Sequence, residues 1–158
     1  MGVFEDKLEQ LTVLALFVPL VIASGGNSGS QAASLIIRAL AIGEVQVRDW
    51  VTVAKREIVT GLAMGSVLGV MGLVVGTLVA MLVIKQNTFA ANAWIGFAIG
   101  TSLVGVVLIG TLTGAMLPLL LEKIGLDPAT SSAPFVATIA DVGGLLVYFI
   151  SATVILQL

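Results

Sequence analysis

The sequence predicts an all-α, polytopic helical membrane protein, and three observations carry that expectation. Hydrophobic residues fill 58% of the 158 positions and charged residues only 10%, against roughly half and a quarter in soluble proteins. The mean hydropathy is +1.15. The apolar residues fall into four long stretches, Leu11 to Ile42, Ile58 to Ile84, Trp94 to Leu121 and Pro134 to Leu156. As helices rising about 1.5 Å per residue, these reach roughly 35 to 48 Å, more than the ~30 Å hydrocarbon core, so tilt, breaks or protruding ends are expected. A soluble domain could not cover this much apolar surface, and the chain reads as one membrane domain over residues 1–158.

Composition also bounds the chemistry. A net charge of -2 and a pI near 4.9 lack the basic patch of a nucleic-acid binder, so no such partner is expected. The sequence contains neither cysteine nor histidine. That removes disulfides, thiolate and imidazole metal sites, and Cys or Ser-His catalysis, so a bound metal must be held by oxygen and an enzyme is not expected.

The first stretch carries the polar run Ser24-Gly25-Gly26-Asn27-Ser28-Gly29-Ser30-Gln31. Its glycines and serines weaken a helix, and the expectation is a break whose opened carbonyls, with the Asn27 and Gln31 amides, face an ion. Irregular backbone persists at membrane depth only when buried in protein or lining a wet cavity. The alternative is a glycine-rich helix contact. Where the chain is helical beyond the break, Asn27, Ser30, Gln31, Ser34 and Arg38 follow the i, i+3, i+4, i+7, i+11 pattern and share one face. Arg38 reads as an end residue reaching for the border.

Of the seven basic residues, Arg38, Arg48, Lys55 and Arg56 surround the connection to the second stretch, which the excess of positive charge assigns to the cytoplasm. Alternation then puts the Lys85 to Ala93 loop outside, the Glu122 to Ala133 loop with Lys123 inside, and both ends outside, in agreement with Glu5, Asp6 and Glu9. An outside start with no preceding signal segment predicts that an upstream span is missing, or that the amphipathic stretch Val3 to Val13 replaces part of it. The connection Glu44 to Glu57 reads as an interfacial helix with Trp50 at headgroup level.

The second and third stretches repeat small residues at four-residue spacing: Gly61, Gly65 and Gly69, then Gly72 with Gly76, Gly96 with Gly100, and Gly110 with Gly114. Such stripes let helices approach closely, either within one subunit or across a dimer seam.

In the last stretch, Asp141 is the one acidic residue in the interior of any span. Pro134, Ala137, Thr138, Gly144 and Tyr148 share its helical face, and helical rise puts it about 10 Å beyond Pro134. A central Asp costs roughly 2.5 to 3.5 kcal/mol on insertion scales, which makes an intramembrane acid a functional candidate. The structural alternative is an ion pair, for which Arg38 and Lys123 are the candidates.

Pro19-Leu20-Val21-Ile22-Ala23-Ser24-Gly25-Gly26-Asn27-Ser28-Gly29-Ser30-Gln31 followed by Leu35-Ile36-Ile37-Arg38 resembles the MgtE family of magnesium transporters and channels. The likeness continues through Gly114-Ala115-Met116-Leu117-Pro118, Asp127-Pro128-Ala129 and Pro134-Phe135-Val136-Ala137-Thr138-Ile139-Ala140-Asp141. The resemblance implies a homodimeric five-helix domain in the cell (inner) membrane, of which four spans are visible here. It also implies an ion path on the two-fold axis, lined by the first and last stretches. It assigns Mg²⁺, as transported and bound ion, to Asp141 and the backbone carbonyl of Ala137, and it places Gly25, Gly26 and Asn27 along the path. Ser30, Gln31, Ser34, Pro134 and Thr138 join them as lining candidates from their helical faces. Some members carry Asn where this chain has Ser30 and Ala133. Many relatives also have a cytosolic acidic domain and paired CBS modules, which these residues do not include.

Mg²⁺ gives up water reluctantly and is usually held by one or two carboxylates with several waters retained. Two Asp141 side chains, one from each subunit, would suit it. The expected activity is passive, channel-like Mg²⁺ uptake. A broader Mn²⁺, Co²⁺ or Ni²⁺ transporter, an ion-coupled exchanger and a non-transporting membrane subunit are the alternatives.

Overall fold

The computed structural model describes residues 2–84 and 88–157, with the side chains of 2–6, 131 and 133 left aside. These residues form helices α1 (Gly2–Ala41), α2 (Trp50–Val83), α3 (Phe89–Lys123) and α4 (Pro128–Leu156), with a single 3-10 turn over Val47–Asp49. Among the described residues there is no strand, and all four helices are long and apolar enough to cross a membrane. The helix ends follow local chemistry. The Thr88 hydroxyl accepts the Ala91 N–H at 3.3 Å to start α3, and the Asp127 carboxylate accepts the Ala129 N–H at 3.0 Å to start α4, where Pro128 takes the first position that tolerates it. Gly43 and Gly125, at φ 73° and 79°, turn the chain just beyond α1 and α3 in the left-handed conformation that glycine adopts freely. Part of the Lys85 to Ala93 loop, residues 85–87, lies outside the described residues.

Two expectations are corrected. The first stretch is not broken: α1 is one helix of 40 residues that runs through Ser24–Gln31 and also contains Pro19. A glycine costs a helix about 1 kcal/mol, but opening the backbone away from water leaves unpaired N–H and C=O groups at several kcal/mol each. The serines need no break either. Ser24 donates to the Leu20 carbonyl at 2.7 Å and Ser34 to the Ser30 carbonyl at 2.8 Å. Nor is there a separate interfacial helix over Glu44 to Glu57. The 3-10 turn, capped by the Asp49 carboxylate accepting the Gln46 N–H at 2.9 Å, leads directly into α2, whose first residue is Trp50. Trp50 keeps 57% of its surface exposed, as befits an aromatic at a membrane border.

Helix α3 is the centre of the bundle and touches each of the others. The glycine stripe of α2 lies against it in antiparallel order: Gly65 meets Val104, Gly69 meets the Gly100 carbonyl, and Gly76 meets Gly96. The α2 and α3 stripes therefore pack against each other inside one subunit, the first of the two alternatives. In α1 the same device is used in parallel order, with Gly25 against Gly110 and Gly29 against Gly114. Without side chains between them, the backbones come within van der Waals contact, where dispersion replaces the hydrophobic drive that lipid cannot supply. Larger side chains fill the end of the bundle away from the basic connection, where Val13, Leu14, Val21, Ile95, Ile99, Leu103 and Tyr148 are buried together. The Tyr148 hydroxyl donates to the Leu14 carbonyl at 2.8 Å, tying α4 to α1 five residues before Pro19. The outer face of α2 stays apolar and open, with Val59, Val67, Val70 and Leu82 exposed, which is the pattern for a helix facing lipid.

Candidate functional site at the α1–α4 crossing

Helices α1 and α4 run antiparallel along one side of α3. Gly25 faces the Ala140 carbonyl and Gly29 faces the Val136 side chain, so the middle of α1 lies beside the middle of α4. At this crossing Gly26 faces Asp141: a methyl group built on Gly26 would stand 3.1 Å from the carboxylate Oδ1. The Asp141 side chain is half-buried. Helix α4 begins six residues before Pro134. Asp141 is thus about 20 Å from the helix start, deeper in the bundle than a helix beginning at Pro134 would put it.

Both candidate ion-pair partners are remote. Arg38 is exposed in the last turn of α1, twelve residues beyond Gly26 and therefore about 18 Å away along the helix. Lys123 ends α3, about 20 Å by helical rise from the Gly110 that packs on Gly25. A charged carboxylate at this depth without a basic partner in reach among the described residues is costly, and such acids mark ion or proton paths.

The polar stripe of α1 forms as a continuous helical face. Asn27, Ser30, Gln31 and Ser34 are all exposed and, with Leu35, line an open groove of about 490 Å³. On α4, Pro134 and Thr138 are exposed and Ala137 is half-buried. The Thr138 hydroxyl donates to the Pro134 carbonyl one turn back along α4 at 2.9 Å. Other members of the expected set go elsewhere. Gly25 is buried against Val106 and the Ala140 carbonyl, and Gly144 and Tyr148 are buried against the neighbouring helices. The sequence pattern put Gly144 and Tyr148 on the Asp141 face, but a face about 100° wide is wide enough for one edge to pack and the other to stay open. The apposition of Gly26 and Asp141 has no signature in either segment alone.

Among the described residues no three Asp, Glu, His or Cys side chains come together to hold a metal ion. At the α1–α4 crossing the described carboxylate is that of Asp141, and the amides and hydroxyls of the α1 stripe suit a hydrated ion better than a bare one.

Residues 18–151 match the model of the MgtE family, described as divalent cation transporters. The chain is 41% identical over 154 residues to the magnesium transporter MgtE of Thermus thermophilus, covering 98% of this chain and 32% of that protein. It is 35% identical to the magnesium transporter MgtE of Bacillus subtilis over 95% of this chain and 31% of that protein. A third, from Enterococcus faecalis, is 29% identical over 98% and 32%. The chain thus spans about a third of the length of these relatives, and the matched third includes all four helices. With the family model running from the middle of α1 to near the end of α4, this multi-pass membrane chain belongs to the MgtE family of divalent cation transporters, not to a family of enzymes.

Proposed function

We propose that this domain forms a Mg²⁺ conduit in which Asp141 is the charged contact of the permeating ion. The observation that carries the reading is the placement of Asp141. It is a half-buried carboxylate facing Gly26, one residue before Asn27 of the open α1 groove, and Arg38 lies about 18 Å farther along α1 by helical rise. The three relatives named magnesium transporters support Mg²⁺ as the ion.

The groove opens on the outer surface of the subunit, and amides and hydroxyls are poorly placed against lipid tails. A second copy related by two-fold symmetry would enclose it and bring a second Asp141 to the same level. The ion then keeps most of its octahedral water shell. Paired carboxylates attract it through that shell, the Ala137 carbonyl adds a backbone acceptor, and the α1 amides and hydroxyls hydrogen-bond to the waters on the way. With no step that consumes energy, the drive is the membrane potential, about 2.3 kcal/mol per charge per 100 mV.

Two results are expected of the full-length protein in lipid. With Mg²⁺ as the sole permeant cation, bilayer recordings should show a current that reverses at the Mg²⁺ equilibrium potential. Electroneutral uptake without current would reject a conducting pore in favour of coupled exchange. Asn27→Cys should form an oxidant-dependent crosslink between copies, and a functional, strictly monomeric species in lipid would reject the shared path.

A further inference from the structure

We propose that Gly26 is a positioning residue that sets where the Asp141 carboxylate stands in the path; this rests on Asp141 being the charged contact of the ion. The three glycines in the middle of α1 meet different things. A methyl group on Gly25 would lie 3.0 Å from Val106 Cγ1 and 3.3 Å from the Ala140 carbonyl oxygen, and one on Gly29 would lie 3.0 Å from the Gly110 carbonyl oxygen and from Val136 Cγ1. Those two glycines serve helix packing. A methyl group on Gly26 would meet one atom within 4 Å among the described residues, Asp141 Oδ1 at 3.1 Å. Packing would otherwise accept alanine there, and helix propensity favours alanine over glycine by about 1 kcal/mol. The one group that opposes a side chain at this position is the carboxylate.

The consequence is chemical. A Cβ at 3.1 Å is tighter than ordinary contact, so the Gly26→Ala methyl would push the carboxylate by a few tenths of an ångström and occupy space beside it that water can otherwise fill. Mg²⁺ demands near-ideal octahedral geometry, whereas Ca²⁺ accepts six to eight ligands at longer and more variable distances. An anchor displaced in a water-mediated site should therefore cost Mg²⁺ more than Ca²⁺. Groups that orient a metal's immediate contacts commonly change affinity by 10- to 100-fold. Bare backbone at Gly26 lets the carboxylate lie close to α1.

The test uses the full-length protein reconstituted in liposomes, with Mg²⁺ and Ca²⁺ uptake measured separately and in competition, and thermal stability recorded in parallel. Gly26→Ala is expected to fold with unchanged or higher stability, to bind Mg²⁺ on the order of tenfold more weakly, and to lose part of its preference for Mg²⁺ over Ca²⁺. Gly143→Ala, whose methyl would meet Ile109 at an ordinary 3.5 Å, should change neither quantity. Wild-type affinity and preference in Gly26→Ala, failure of that variant to fold, or a loss of flux that tracks stability at an unchanged Mg²⁺/Ca²⁺ ratio would each overturn the role. Asp141→Asn separates the two layers of the argument. Wild-type flux in that variant removes the reading of Asp141 itself, whereas a dead Asp141→Asn beside an unaltered Gly26→Ala removes only the proposal for Gly26.

Discussion

Asp141→Asn should lower Mg²⁺ uptake into proteoliposomes by about two orders of magnitude or more, while the purified protein melts at or above the wild-type temperature. The substitution keeps shape and hydrogen-bonding capacity but removes the charge that a hydrated divalent ion at this depth needs. Among the described residues no cluster of three potential ligands exists that could take over. Stability should move the other way, because a carboxylate held away from bulk water without a basic partner carries a desolvation cost that the amide does not. Arg38, about 18 Å beyond Gly26 along α1, and Lys123, about 20 Å beyond Gly110 along α3 by helical rise, lose no ion pair. Added Mg²⁺ should raise the melting temperature of the wild type and not of Asp141→Asn, since an ion bound at the site stabilises only a fold that holds it. Wild-type-like flux in Asp141→Asn would remove Asp141 as the main charged contact, and a sharp fall in stability would point to a structural role in place of an ionic one.

The second large effect is expected at the crossing of α1 and α3. Gly114→Ala should destabilise the folded protein by about 2 kcal/mol or more, and Gly114→Leu should leave little folded protein. A methyl group at Gly114 would overlap the carbonyl oxygen of Gly29, and one at Gly110 would press on the carbonyl of Gly25. The obstacle in both cases is backbone, which cannot rotate aside as a side-chain end can. Relief requires α1 to move off α3, which takes Gly26 away from Asp141 as well, so any variant that survives should also transport poorly. Thermal melts in detergent and the fraction of protein recovered as a single species would measure the effect. A Gly114→Leu protein with wild-type stability would show that the two helices are not in backbone contact.

The amino-acid sequence alone was enough for the number of spans and for the charge and polarity pattern along them, though not for the helix limits around Trp50 and Pro134. Four apolar stretches, basic residues gathered about Arg38 to Arg56, and one acid within the last stretch follow directly from residue type and spacing, and each stretch lies within one of the four long helices to within a residue at its end. Asp141 stands out because a lone acid among apolar residues is a local pattern, and Asn27, Ser30, Gln31 and Ser34 share a face because helical period alone makes them do so. The resemblance rested on contiguous segments for the same reason, and the family match agrees with it.

Tertiary structure decided what depends on which helix comes near. Whether Ser24-Gly25-Gly26-Asn27-Ser28-Gly29 opens or stays helical is undetermined by the run itself, since glycine serves both irregular backbone and close packing. Contact with Gly110 and Gly114 on α3, together with the cost of unpaired backbone groups away from water, keeps it helical. The same holds for the α2 stripe, which could have faced a second subunit and instead lies on α3. Tyr148 shares a helical face with Asp141 by spacing, yet its hydroxyl is committed to the carbonyl of Leu14, 134 positions away in the chain. Gly26 and Asp141 meet for the same kind of reason: two helices distant in sequence cross where the glycines of α1 leave room for the side chains of α4.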